Sequence, residues 1–356
     1  PAFREHNVDV LFGAYEGSSP NPPLNGLRVQ LMDLVHNAAW LAKLPEDALL
    51  PDRTEENKAT RKMFPDYYYD LSRKHSAQLE TPLWLEPSYP FETVKEARAR
   101  LLSGALGILD GTPLTRSIIA TSCRNPISEA KDSVNRGGCT FILNPEALTK
   151  TPNLSPVLNG KEVRRSDMIW AIINKHYQRM TLKSVSFPVH HVGRSYSEPT
   201  INSEKVQGEI VGSALYAGLV EFLGENSDHR LNFSTDEVAD IYSRSMSHMD
   251  ARILLLEQSF YRISGLAKAI ANGPFCREFN ALTDCLQQEF SLDAFKQIKS
   301  AINDLNKNEI SRFLKQMISS SNAYTTPISS KRMSKNQNSN ICESDEVTEK
   351  YCETTN

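Results

Sequence analysis

The helical signal that begins at Ser234 constrains the fold most. Ser234-Thr-Asp-Glu237 matches a capping box, in which the serine hydroxyl and the glutamate carboxylate satisfy backbone N–H groups that a helix start leaves without partners. The helical pattern can run from there to Ala271, where Asn272-Gly273-Pro274 breaks it. Cys276–Phe290 and Leu292–Met317 supply two further helical stretches, so the C-terminal third reads as a helical layer or bundle.

The N-terminal part is mixed. Val8–Phe12 is a short strand candidate, closed by the loop signal Ser18-Ser19-Pro20-Asn21-Pro22-Pro23. From Asn25, apolar positions such as Leu27, Leu31, Leu34, Val35, Ala38 and Leu41 cover most of a helix surface, which predicts a largely buried helix with His36 inside it. Thr54–Met63, Asp66–Gln78 and Glu92–Leu106 also fit helices. Farther on, Arg116–Ser122, Cys139–Leu143 and Lys183–Val192 are β-branched or alternating runs and are expected to be strands of one sheet. Ile127–Asn135 and Ser166–His176 fit helices between them, with Ser166 as the expected N-cap of the second.

The expected fold is therefore α/β or α+β. A central mixed sheet flanked by helices occupies residues 1–230, a helical layer follows over 231–318, and a disordered acidic tail covers 319–356. The sequence opens at Pro1 rather than Met, so secretion is not read from that end.

Charge and composition remove several functions. With 40% apolar residues, 23% charged residues and a net charge of −3, the chain is ordinary globular material without the basic face that phosphate-backbone binding needs, and no nucleic-acid partner is expected. The most apolar stretch, Ile210–Leu223, is interrupted by Gly212, Ser213, Gly218 and Glu221, so the chain is not expected to be integral to a membrane. Six cysteines without a CxxC pair suggest neither a zinc ribbon nor a disulfide framework. No metal is predicted: HExxH and DxD are absent, and neighbours such as His190-His191 point to opposite faces of a strand. Walker A, GxGxxG and GxSxG sequences are absent as well.

One ordered set of polar residues remains: Arg124 after a strand candidate, Ser184-Val-Ser186 within one, then Gln207-Gly-Glu209. Alternation puts Ser184, Ser186 and His190 on one face of their strand and Val185, Phe187 and Val189 on the other. The set resembles the Arg, Ser-x-Ser, Gln-x-Glu order of bacterial mono-ADP-ribosyltransferases, with Val185 where that family has Thr. The resemblance implies that NAD is the substrate and a protein the acceptor. It makes Glu209 the carboxylate that stabilises oxocarbenium character, Gln207 the residue that orients the acceptor, and Arg124 the holder of the diphosphate, with Ser184 and Ser186 lining the cofactor site. Val206, Ile210, Leu215, Leu219 and Phe222 are also spaced helically, and on a helix Glu209 would be a solvated residue.

Two other chemistries stay open. Asn135-Arg-Gly-Gly-Cys139 offers Gly137 and Gly138 as a backbone cradle for the diphosphate of ADP-ribose, which resembles a macrodomain-like hydrolase acting on an ADP-ribosyl linkage. Cys123 or Cys139 could pair with His190 or His191 as a thiol nucleophile and base. A different class is a non-catalytic module that grips a host protein with the helices after Ser234. The polar linker from Ser319 to Asn340 and the acidic block Glu343–Glu353 resemble the C-terminal signals of type IV secretion effectors from Legionella-like bacteria, which implies delivery into a host cytosol and a host protein as partner.

Overall fold

A computed structural model describes residues 7–17, 24–63, 82–105, 107, 125–133, 141–145, 157–158, 160–191, 203–225, 234–271, 276–305 and 307–319. The expected helix over 66–78, the expected strand over 116–122 and the acidic tail lie outside them. Among the described residues the chain is a mixed α/β protein, as its alternating and helical periodicities require.

Strand β1 (Val10–Gly17) leads into α1 (Leu24–Leu41), α2 (Thr54–Met63) and α3 (Val94–Ser103). Helix α3 starts two residues later than its apolar pattern suggests, because Thr93 and Glu96 form the cap. The Thr93 N–H donates to the Glu96 carboxylate at 2.8 Å, and the Glu96 N–H donates to the Thr93 hydroxyl at 3.3 Å. The buried Arg98 on α3 finishes α1. Its guanidinium donates to the carbonyls of Leu41 at 2.6 Å and Leu44 at 3.0 Å and to Glu46 at 2.7 Å, placing positive charge where the helix dipole is negative.

The middle segment supplies α4 (Pro126–Glu129), β2 (Lys131–Asp132), β3 (Phe141–Leu143), β4 (Val157–Leu158), β5 (Lys161–Glu162), α5 (Ser166–Tyr177) and β6 (Leu182–His191). The order in the main sheet is β2-β6-β1-β3, with β1 and β6 parallel and both outer pairings antiparallel. The helix expected over 127–135 is corrected: it ends at Glu129, and Lys131 and Asp132 instead pair with Ser184 and Lys183 of β6. The periodicity overlooked the hairpin of β4 and β5, where Gly160 adopts φ +75 between the strands. Phe12 of β1 meets Phe141 of β3 edge to face at 4.8 Å, and Phe141 in turn contacts Trp170 of α5 at 6.0 Å, which packs the helix on the sheet.

The C-terminal part is α6 (Ser203–Glu225), α7 (Thr235–Ala271), α8 (Cys276–Glu289), α9 (Leu292–Asn303) and α10 (Lys307–Ser319). The Ser234 capping box forms as expected, with reciprocal hydrogen bonds to Glu237 at 2.9 and 3.3 Å. Helix α7 has 37 residues, so it is about 55 Å long. The single stretch expected over 292–317 is split, with Asp304 capping α9 and Leu305 buried between the two helices.

Helix α6 lies between α5, α7 and α9 and is buried around almost its whole circumference from Val206 to Leu219. Small residues make this possible. A Cβ on Gly212 would sit 1.9 Å from the Arg164 carbonyl oxygen, and one on Gly218 would sit 2.5 Å from the Ser245 hydroxyl of α7. One cluster of buried side chains runs from Val10 of β1 through α1, α5, α6 and α7 to Leu314 of α10.

Opposite outcomes are expected for two glycine substitutions. Gly212→Ala should destabilise the protein by about 1–3 kcal/mol, because it presses on backbone rather than on a movable side chain. Gly265→Ala, in α7 with nothing within 4 Å, should stabilise it by up to about 1 kcal/mol. Urea unfolding of both variants checks the pair.

Candidate functional site

The carboxylate singled out by sequence sits inside the protein. Residues 203–225 are helix rather than strand, so Gln207 and Glu209 point about 200° apart around α6 and share no face. Both are buried, at 8% and 2% exposure, which also corrects the expectation of a solvated Glu209. The Glu209 carboxylate is enclosed by two guanidiniums, Arg165 at 2.5 Å and Arg164 at 3.2 Å. These arginines stand where the chain turns from β5 into α5. Arg165 takes a left-handed φ of 77 as the residue preceding α5, in place of the expected Ser166 cap, and its side chain turns to Glu209. Glu209, Gly212 and Tyr216 follow one stripe of α6 toward this corner. Burial pushes the Tyr216 phenol well above its usual value, with Arg165 opposing and Asp167 adding to the shift.

Of the residues expected around that carboxylate, Ser184 stands on a different element. Ser184 lies on β6, paired to Phe12 on one side and Lys131 on the other. That strand packs mainly on β1, β2 and α4, whereas α6 packs mainly on α5, α7 and α9. Ser186 occupies the same strand, and its side chain lies outside the described residues. Arg124, Gly137, Gly138, Cys123 and Cys139 also lie outside the described residues. Among those that are described, no group of three or more His, Cys, Asp or Glu residues is placed to hold a metal ion, and no helix is long and apolar enough to cross a membrane.

A second constellation, which sequence patterning passed over, stands on the opposite kind of environment. Residues 46–50 and 92–95 run side by side as a short antiparallel ladder. Leu50 N–H donates to the Glu92 carbonyl at 2.8 Å, Val94 N–H to Ala48 at 2.9 Å and Lys95 N–H to Glu46 at 3.0 Å. Alternation sends Leu50, Glu92 and Val94 inward and Leu49, Phe91 and Thr93 outward. Leu49 is 58% exposed, Tyr89 48% and Phe91 81%, which makes them an apolar group in water.

The turn that carries Tyr89 and Phe91 is rigidly held. Tyr89-Pro90-Phe91-Glu92 closes through the Glu92 N–H and the Tyr89 carbonyl at 3.3 Å, with Pro90 followed by Phe91 at φ 73, as a type II turn requires. Glycine normally fills that position, so a phenylalanine there is strained. Beneath the turn, the buried Glu92 carboxylate accepts the Ser88 N–H at 2.7 Å and both arms of Arg100 at 2.8 and 2.9 Å. Burial pushes its carboxyl up, but Arg100 and the Ser88 amide more than offset this and hold it below its usual value. Desolvation raises the Tyr89 phenol above its ordinary value, and its hydrogen bond to the Glu96 carboxylate adds to the shift.

The incoming chain is pinned as well. On α1, the Asn37 amide accepts from Leu85 N–H and donates to the Leu83 carbonyl, both at 2.8 Å, while Asp33 accepts from Leu83 N–H at 3.0 Å. Between the two leucines, Trp84 faces out and covers Arg53, whose guanidinium lies 3.6 Å from its ring centre and 5.4 Å from that of Trp40. Glu56 closes the stack by accepting from both Arg53 and the Trp84 indole. The Pro90-Phe91 pair is a turn signal, yet an aromatic beside a turn is ordinarily read as core, and no spacing rule separates an exposed one from a buried one.

No family model, curated protein or solved structure matches the chain.

Two expectations follow for the carboxylates. Glu209→Gln removes the buried negative charge that the partly buried Arg165 is set against and should destabilise the fold by about 3 kcal/mol in urea unfolding. For Glu92, the lowered folded value means that its contribution is complete above the ordinary carboxylate value of about 4.3 and is lost as pH falls below it. Thermal unfolding between neutral pH and pH about 3 should show this loss in the wild type and a shallower one in Glu92→Gln.

Proposed function

We propose that the chain acts by binding another protein through the surface formed by Leu49, Tyr89 and Phe91, rather than by ADP-ribosyl chemistry at Glu209. The observation that carries this reading is Phe91. An aromatic ring held in water on a strained backbone position stabilises neither the core nor the turn, and a binding partner supplies the missing burial. Rigid support by Glu92, Arg100 and the Asn37 pin adds to it, since a preorganised aromatic loses little conformational freedom on binding.

The transferase reading needs a carboxylate that faces a bound nicotinamide riboside. Glu209 already spends both oxygens' reach on Arg164 and Arg165 within the protein interior, which argues for a structural role. This proposal keeps the non-catalytic alternative from the sequence, but moves the gripping surface from the helices after Ser234 to the turn before α3. If the tail acts as its resemblance to secretion signals implies, the partner is a host protein.

Two measurements test the reading together. Calorimetric titration with NAD and with ADP-ribose should give no saturable heat. NAD binding lost in Arg124→Ala, with nicotinamide release lost in Glu209→Gln, would overturn the proposal in favour of the transferase. Selection of displayed peptides on the full chain, counter-selected on Phe91→Gly, should enrich sequences that bind the wild type and not the variant.

A further inference from the structure

The rim of the exposed turn has a charge that selects among partners. Within residues 46–52 and 88–96 the exposed charged side chains are Glu46, Asp47, Asp52, Glu96 and Lys95. Arg98 pairs with Glu46, which leaves Asp47, Asp52 and Glu96 facing Lys95. Of the other nearby cations, Arg100 is bound to Glu92, Arg53 lies between two indoles, and Lys58, which also acts on Asp52, is paired with Glu55. Asp52 and Glu96 are both held below their usual carboxyl values by hydrogen bonds, Asp52 from the Thr54 hydroxyl and amide and Glu96 from the Thr93 amide and hydroxyl. They are charged at neutral pH, and the apolar group of Leu49, Tyr89 and Phe91 lies within an acidic border.

Resting on the protein-binding reading above, we infer that this surface takes a protein segment with an apolar anchor flanked by lysine or arginine. The exposed rings supply a dry contact for the anchor, and the border supplies a complementary field for the flanking cations. The same field opposes the other occupants. A second copy would bring one acidic border against another, and an anionic lipid surface would be repelled by both Asp47 and Asp52.

The backbone provides a variant that separates binding from folding. Phe91→Gly places glycine at φ 73, the position that favours it, and removes a side chain that is 81% exposed. Its thermal midpoint should equal or exceed that of the wild type. Asp47→Asn/Asp52→Asn/Glu96→Gln keeps the acceptors for Thr54 and Thr93 and removes the charge.

The probes are two fluorescent synthetic peptides with one leucine and tryptophan pattern, carrying lysine at every polar position in the first and glutamate in the second. Anisotropy is read against the full chain at low and high salt. The lysine peptide should bind the wild type, at least about tenfold more weakly to Phe91→Gly, and with a salt dependence that flattens in the neutralised variant. Equal or tighter binding of the glutamate peptide, still lost in Phe91→Gly, would sink the cationic partner while the binding surface survives. Equal binding of both peptides by wild type and Phe91→Gly would sink the surface itself. A dimer seen by light scattering in the wild type and absent in Phe91→Gly would replace the cationic partner with a second copy.

Discussion

Helix α6 has almost no face to give to water, and the arrangement of the other helices follows from that. Its glycines let two neighbours approach to backbone distance, the corner at Arg164 over Gly212 and α7 over Gly218. Such contacts allow one geometry only, because a polypeptide backbone has no rotamer with which to adjust. Burial of the whole circumference also brought a carboxylate inside, and Glu209 is tolerated there because Arg165 and Arg164 come with the same corner. The ion pair and the close approach at Gly212 are therefore one structural device. It sets where α5 begins, and through Trp170 and Phe141 it sets how α5 lies on the sheet.

The turn before α3 follows the opposite logic. There the polar groups are inside and the apolar ones outside: Glu92, Asn37 and Asp33 are buried and satisfied, while Phe91 and Leu49 face solvent. Buried polar groups with complete hydrogen bonding make a loop stiff, since each alternative conformation leaves a donor or acceptor without a partner. The stiffness sustains a left-handed phenylalanine, and it holds the rings of Tyr89 and Phe91 in a fixed relation for a partner to meet. Stability and display are separated along this segment. The residues that hold the turn point inward, and those that would make contact contribute little to holding it.

Periodicity revealed the long elements and blurred the junctions. The burial of α1, the cap at Ser234 and strand β6 were legible because each repeats a signal over several turns or pairs. The short α4 and the two-residue β2 were not, since pairing with β6 rather than intrinsic propensity decides them. For the candidate site, Gln207-Gly-Glu209 carried equal weight as strand or helix, and the answer depended on α5, α7 and α9 closing around Val206–Leu219. Three residues that share an order along the chain, Arg124, Ser186 and Glu209, have no distance between them until the layers are placed.

What the sequence determined by itself is local: where helices start and stop, which strands alternate, and which chemistries lack a motif. Those properties depend on residues a few positions apart, within reach of one turn or one strand pleat. Only the tertiary structure decided that Glu209 is buried against two arginines and that Phe91 faces water instead of the core. Both outcomes are set by contacts across tens of residues, Glu209 to Arg165 and Asn37 to Leu85 among them. Such contacts become specific only when packing fixes which faces meet, because the same side chain is stable in either environment once its partners are supplied.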